Sequence, residues 1–573
     1  MKRRTFLSSG ACAAVLLLGH RSSLAQSRAY DWARLKRRIG DRLIDIDSPL
    51  VECARNAGAG ADELFAQLKN PYYLSDEPSL TQSLGWVDAW TSRPSIKGVA
   101  AESAADIAAA VDFARRAGIE PVVKGGGHSY FGNSNRAGSL LIWTHRLRTI
   151  DLHPAFRGSG WPAHAAAVPA VSIGAGCLWG EVYRTVADQG RYVQGGGCLT
   201  VGVGGFVQGG GFGSLSKQFG TGAANLLEAE VVTADGQIRI ANQWREPELF
   251  YALRGGGGGT FGVVTRLTLR THPMPATVGA ATFELKATDD ASWRELVARI
   301  VDFYATSLFN PNWGEQIRFS HGRRLRIDMV CQELSQSEIE RVWAPFLEWV
   351  RSHPQKFAFE GEASFLALPG QDTWDPQFLR TLPGQVLQDD RPGASSNNIY
   401  WTGNRGEAGQ VIHAYQSAWL PDALLDRARQ SDLVDALIRA SSEWSVTLHT
   451  NKGLGGGSPE AIAATRETAM NPEVLTAFAL LISGAEEQPA WPGIPGHEPN
   501  IAEGRDQAAA VSRAMKPIRE LVPGAGCYVS EADFFEADWK RAHWGTNYAR
   551  LSRIKRRYDP NWLFKGHHCV EPA

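Results

Sequence analysis

Two short segments of this chain place a nucleophilic side chain at the rim of a glycine-lined turn. The first is Lys124-Gly125-Gly126-Gly127-His128-Ser129; the second is Gly195-Gly196-Gly197-Cys198-Leu199-Thr200-Val201-Gly202. Glycine turns let backbone N–H groups come close to a phosphate or a flat ring. An imidazole and a thiol at two such turns can each bond covalently to one cofactor. We read His128 and Cys198 as two tethers of a single flavin. Cys177 sits in a similar glycine-rich context, Gly174-Ala175-Gly176-Cys177, and serves as the contrast: it reads as core packing.

Other glycine clusters carry weaker messages. Gly257-Gly258-Gly259-Thr260-Phe261-Gly262 has the form GxGxxG. The dinucleotide fingerprint follows a strand and opens a helix, whereas this one follows a helical pattern and runs into Val263-Val264-Thr265. The stretch Gly174-Ala175-Gly176 with Gly180 has the right context but one residue too many. No GxxxxGK[ST] loop is present. Gly202 to Gly213 (GVGGFVQGGGFG) holds too many glycines for a stable helix or strand. Its interleaved Val203, Phe206, Val207 and Phe212 predict backbone pressed against a flat ligand rather than a linker.

The elements that must position these turns alternate. Ala101 to Gly118 predicts a helix with Ser103 as cap and a terminal glycine. Ile119 to Val123 predicts a buried strand running into the histidine turn. Leu140 to Trp143 and Ala170 to Ile173 predict strands, and Leu178 to Gln189 a helix. Leu226 to Ile240 predicts a hairpin turning at Asp235-Gly236. Pro247 to Leu253 predicts a helix and Phe261 to Thr271 a strand. From about residue 278 the pattern changes to strands at 282–286, 356–361, 410–419, 445–450 and 475–483, with a hairpin at 317–331 turning at His321-Gly322. Long amphipathic helices fall at 291–308, 335–350, 422–442, 459–470 and 505–521. That pattern predicts a second domain, an antiparallel sheet covered by helices. The tail predicts one strand and a helix near 540–557. The expected fold class is α+β.

A chain of 573 residues, with 59 Lys+Arg against 60 Asp+Glu, is long enough for several cores and has no charge excess for a nucleic-acid surface. No run reaches the roughly 20 apolar residues of a membrane span, and the cysteine and histidine spacings show no metal pattern. Residues 1–25 read as an export signal. Lys2-Arg3-Arg4-Thr5-Phe6-Leu7 precedes the apolar run from Ala11 to Gly19, and cleavage is expected after Ala25. The paired arginines resemble a twin-arginine signal, a route suited to a protein that loads its cofactor before export. Of seven cysteines, Cys12 leaves with the signal. If Cys198 carries flavin, five remain, enough for at most two disulfides.

Taken together, the motifs resemble the berberine bridge enzyme-like group of the vanillyl-alcohol oxidase flavoprotein superfamily. KGGGHS at 124–129 is similar to the family loop whose histidine bonds the flavin 8α-methyl. GGGCLTVGVGG at 195–205 is similar to the loop whose cysteine bonds flavin C6, with Leu199 in place of the usual proline. ELFYALRGGGGGTFGVVT at 248–265 and NYARLSRIKRRYDPNWLF at 547–564 resemble the family segments at the cofactor's adenine and diphosphate and in the returning tail. The resemblance implies a lead-in at 26–92, a two-subdomain FAD-binding domain of the PCMH type at 93–275, a substrate domain at 276–525 and a tail at 526–573 that returns to the FAD domain. It implies FAD bound covalently through His128 and Cys198. The implied cofactor contacts are Lys124, Gly125, Gly126, Gly127, His128, Ser129, Cys198, Thr200, Val201, Gly202, Gly204, Gly205, Gly262, Val264 and Asn547.

The implied chemistry is oxidation of an alcohol, sugar or amine carbon of a small molecule, with O2 as acceptor. The small Val201 after the cysteine turn favours access of oxygen. A dehydrogenase using a quinone and a non-catalytic flavin protein are the alternatives. The family often places a tyrosine base in a stretch that here reads Tyr528-Val529-Ser530-Glu531-Ala532-Asp533, so Glu531 stands at that position and is the expected base; an ion-paired carboxylate is the alternative. Another family position for a base, a glutamate before a Gly-Gly turn, here reads His449-Thr450-Asn451-Lys452-Gly453 and has none. Tyr415 and Gln416 alternate along an expected strand resembling the substrate-facing segment of bacterial relatives.

Overall fold

A computed structural model describes residues 30–573, so the expected export signal and Cys12 lie outside the described residues. Helices and sheets are segregated, as an α+β fold requires. Three main sheets form the frame. The first orders Leu43–Ile44, Lys97–Ala100, Leu140–Trp143 and Pro121–Lys124, and the last three strands are parallel. The helix Ala104–Ala117 packs against it. Ser103 caps that helix by accepting from the Asp106 N–H, and Gly118 ends it at φ 66. The second sheet is antiparallel, in the order Ile238–Asn242, Leu226–Val232, Val263–Pro273, Val168–Gly174 and Ile150–Phe156.

The third sheet has ten strands. Its long strands Thr277–Ala287, Arg324–Gln332, Trp313–Ser320, Ala477–Glu487 and Gln410–Pro421 pair antiparallel. The helices Asp290–Phe303, Gln336–Arg351, Gln430–Glu443 and Ile501–Leu521 bury one of its faces. Their shared core includes Trp293, Leu296, Trp343, Phe346, Leu433, Leu437 and Ile518, all less than 5 % exposed. The opposite face is left for the site.

Three expectations need correction. Val203–Gly209 is an α-helix despite its three glycines. Each glycine costs roughly 0.5–1 kcal/mol, but Val203 and Val207 are fully buried and contribute about 1.5–3 kcal/mol each, so packing outweighs propensity. The residues before 93 are more than a lead-in. Leu43–Ile44 joins the first sheet and Ser83–Trp86 joins the third beside Gln410–Pro421; these strands are too short to leave a periodic signal. Beyond Gly526 there is no strand, only a bridge between Tyr528 and Glu531 and the helices Trp539–Trp544 and Tyr548–Tyr558. The six cysteines among the described residues are all free thiols, within the expected limit of at most two disulfides.

Candidate active site

The strand Pro121–Lys124 delivers the histidine turn, and the chain bends back at Gly127 with φ 79, a conformation that favours glycine. The cysteine turn comes from the other sheet and meets it backbone to backbone. A Cβ on Gly126 would lie 2.7 Å from the Gly202 nitrogen, and one on Gly202 would lie 2.5 Å from the Gly126 nitrogen. Neither position has room for a side chain. His128 Nε2 lies 3.0 Å from the Thr200 carbonyl, and Cys198 Sγ lies 3.4 Å from Thr200 Oγ1. One residue thus organises both nucleophiles. Trp401, at the end of the small two-stranded sheet of Val386–Gln388 and Ile399–Trp401, adds a clamp by donating its indole N–H to the Gly197 carbonyl at 2.8 Å.

Both side chains line a single cavity of about 920 Å³, at the top of the range of about 300–1,000 Å³ for ligand pockets. Gly125, Gly126, Gly127, Ser129, Val201, Gly202, Gly204, Gly205, Gly262 and Val264 line it as well. Buried polar atoms on its wall without a hydrogen-bond partner include Gln208 Oε1, Thr260 Oγ1, His449 Nδ1, Asn451 Oδ1 and His568 Nδ1. Buried groups in that condition are costly unless a ligand satisfies them. A cavity floored by glycine backbone and ringed by orphaned donors and acceptors fits a dinucleotide carrying a flat ring.

Three expected cofactor contacts lie elsewhere. Lys124 is fully buried and turns away from the cavity; its Nζ donates to the Leu74 and Glu77 carbonyls at 3.0 and 2.5 Å. It ties the helix Pro71–Asp76 to the base of the histidine turn. Asn547 donates to the Met470 carbonyl at 2.7 Å and does not line the cavity. Thr200 is buried behind the wall and acts through His128 and Cys198. The tail reaches the cavity twice, through Tyr528 to Glu531 and through Lys565 and His567 to Cys569. Asn133 holds the second stretch there, exchanging two hydrogen bonds with the His567 backbone at 2.9 and 3.0 Å.

Glu531 and Tyr415 both line the cavity. Lys452 Nζ contacts the two Glu531 oxygens at 2.6 Å each, so the carboxylate is ion-paired. Tyr415 packs its ring 5.1 Å from that of Tyr130. Gln416 points to the other face of its strand, donating to Ser512 and Asp533. Sequence reasoning missed Lys452, Tyr130, Glu315, Glu407 and Asn451. Tyr130, two residues beyond His128, carried a local signal; Glu315 carried none. It is a half-buried carboxylate at φ 76 in a strand, accepting from Ser214 at 2.6 Å and Asn451 at 3.0 Å. A non-glycine residue at such a φ is strained, and strain of this kind collects at functional sites.

Electrostatics follow from enclosure. Burial pushes the His128 imidazole down to about 4, against the opposing pull of the Thr200 carbonyl. Burial pushes the Cys198 thiol up to about 11, and the nearby Glu407 charge adds to the rise. Glu407 is itself held up to about 7, first by burial and then by the Glu486 charge. Its side chain is exposed on the open side of the cavity, where solvent screening weakens both effects. The Tyr415 hydroxyl is raised well above 10 by burial and then by Glu531.

Comparisons with known proteins agree with this geometry. A family model described as "FAD binding domain" matches residues 98–242, and one described as "Berberine and berberine like" matches residues 527–571. The FAD-linked oxidoreductase malF of Malbranchea aurantiaca is 30% identical over 579 residues, covering 93% of this chain and 88% of that protein. The VAO-type flavoprotein MtVAO615 of Myceliophthora thermophila C1 superposes with a TM-score of 0.76 at 24% identity, covering 96% of both chains. The glucooligosaccharide oxidase of Acremonium strictum, described with a 6-S-cysteinyl, 8α-N1-histidyl FAD, gives a TM-score of 0.62 at 21% identity, covering 86% of this chain and 94% of that one. Two glycine turns meeting at one cavity, an FAD-binding match and a returning berberine-like tail lead to one conclusion: the chain belongs to the berberine bridge enzyme-like FAD-linked oxidoreductases.

Proposed function

We propose that this protein is an exported oxidase with FAD bound covalently through His128 and Cys198, acting on an alcohol, sugar or amine carbon of a small molecule. The observation that carries the reading is the convergence of the two nucleophiles on one cavity through Thr200. The residues that would hold the cofactor are Gly125 to Ser129, Cys198, Val201, Gly202, Gly204, Gly205, Gly262 and Val264. Bound FAD supplies the hydride acceptor, which O2 reoxidises with release of H2O2.

The chain's own residues prepare both attachments. Hydrogen bonding to the Thr200 carbonyl requires the proton of His128 to sit on Nε2, which leaves the Nδ1 lone pair free. A folded-state value of about 4 keeps that imidazole neutral, hence nucleophilic, at ordinary pH. The Acremonium enzyme's named 8α-N1-histidyl linkage supports this tautomer. Cys198 has the opposite problem, since the thiolate is the reactive form; the Thr200 hydroxyl and the backbone around Thr200 and Val201 favour that form.

On the substrate side, Glu531 accepts the proton of the substrate O–H or N–H at one of its oxygens. Lys452 Nζ fixes the carboxylate by contacting both. Tyr415 and Tyr130 wall the substrate in. Val201 lines the cavity beside the cysteine turn, and its small side chain supports oxygen over a bulkier acceptor.

Intact-mass analysis tests the tethers: the purified protein gains the mass of FAD, His128→Ala and Cys198→Ala each retain one bond, and the double variant carries none. A bare polypeptide sinks the proposal. Anaerobic reduction followed by rapid mixing with air tests the acceptor, and slow reoxidation favours the dehydrogenase.

A further inference from the structure

We infer that the substrate-facing wall of the cavity takes a molecule bearing a protonated amine on an apolar body. This rests on the redox reading above and narrows it to one substrate class. Glu315, Glu407 and Glu531 line the cavity together. Of the cations on the same wall, Lys452 is committed to Glu531 at 2.6 Å and Arg326 to Asp328 at 2.6 Å. Glu315 is left with the neutral donors Ser214 and Asn451. Glu407 has only the Asn404 amide, at 3.4 Å. Neither carboxylate has a cation in hydrogen-bond contact, and Lys452 acts on both only from a distance, so a cationic ligand would supply the missing contact.

A second, independent observation points the same way. Asn451 is 2 % exposed, gives its amide N–H to Glu315, and presents a carbonyl oxygen that nothing satisfies. The Asn451 carbonyl and the Glu315 and Glu407 carboxylates are acceptors, so the partner that matches them is a donor. The Tyr130 and Tyr415 rings, 5.1 Å apart, offer negative π-faces to a cation. Val278, Met329, Leu366 and Leu368 bring an apolar stretch to the same cavity. That stretch suits a hydrocarbon body better than a polyol, which would leave its hydroxyls unmatched there.

The charge of Glu407 adds a pH signature. Its value of about 7 is set by burial first, then Glu486, with Lys452 opposing and Glu531 reinforcing. Below that pH the protonated carboxyl no longer attracts a cation. Amine affinity should fall as pH drops through about 7, while affinity for a neutral analogue stays level.

The test is a matched pair, 2-phenylethylamine and 2-phenylethanol, on the flavin-loaded protein. Binding is read anaerobically by perturbation of the flavin band and independently by thermal shift. The amine should bind about tenfold or more tighter, and E407Q or E315Q should erase most of that preference. Equal affinities, binding of neither probe, or binding of cellobiose but not the amine would overturn the inference. So would a preference that survives in both variants. Loss of the FAD mass in the intact protein would defeat the redox reading instead; the thermal-shift comparison still judges the amine preference in that case.

Discussion

Thr200 contacts both proposed tethers. Its carbonyl selects the His128 tautomer and its hydroxyl touches the Cys198 sulfur. Glu531 and Lys452 form a second unit, with one partner from the tail and the other from the loop after Val446–His449. Glu531→Gln should lower kcat by on the order of 10²–10⁴-fold with flavin content unchanged, as measured by anaerobic flavin reduction. That variant strands the Lys452 ammonium, a loss of up to about 3–5 kcal/mol for a buried pair and less here, where both partners remain partly exposed. The double variant Glu531→Gln with Lys452→Met should therefore melt higher than Glu531→Gln alone while remaining inactive. Restored activity in the double variant would show that Glu531 is not the base.

At the scale of elements, the site depends on two turns from different sheets touching along bare backbone. Gly126 and Gly202 leave no space for a methyl group. Gly126→Ala should push the turns apart, costing about 1–3 kcal/mol in stability and depleting covalent flavin. Denaturant titration and the flavin-to-protein absorbance ratio measure the two effects. An alanine variant that loads flavin fully would mean the close approach is incidental. The helix Val203–Gly209 starts from this contact, so its glycines serve both the approach and the cavity wall.

At the scale of the whole molecule, the chain is stitched together across long separations. Ser83–Trp86 reaches into the third sheet, and the tail returns to the first half of the chain. The tail's anchor is Lys555, fully buried, with Nζ bonded to the Thr260 carbonyl at 2.6 Å, Asp559 at 2.6 Å and the Phe564 carbonyl at 2.8 Å. Thr260 belongs to the cavity wall, so the anchor connects tail and cofactor site. Lys555→Met leaves Asp559 charged and buried, and should cost about 3–5 kcal/mol. Differential scanning should show the lower melting temperature, and proteolysis should release the tail first. Unchanged melting would mean the tail is held by its apolar contacts alone.

Much of this was legible in the residues themselves. Glycine spacing marked both turns, because only glycine allows such backbone, and helical and strand periodicity marked most elements of the α+β fold. The resemblance of four ordered motifs was enough to name the family. What only the tertiary structure decided were matters of direction and partnership. Lys124 lies next to cavity residues in the chain yet points away to buried carbonyls, and Asn547 bonds the Met470 carbonyl away from the cavity. Lys452 meets Glu531 across 79 residues, a pairing that no local pattern encodes. The glycine-rich helix forms because buried valines outweigh a propensity that a sequence reading must take at face value. Local residue types set which backbone is possible; burial and long-range contact chose which side chains face the cavity.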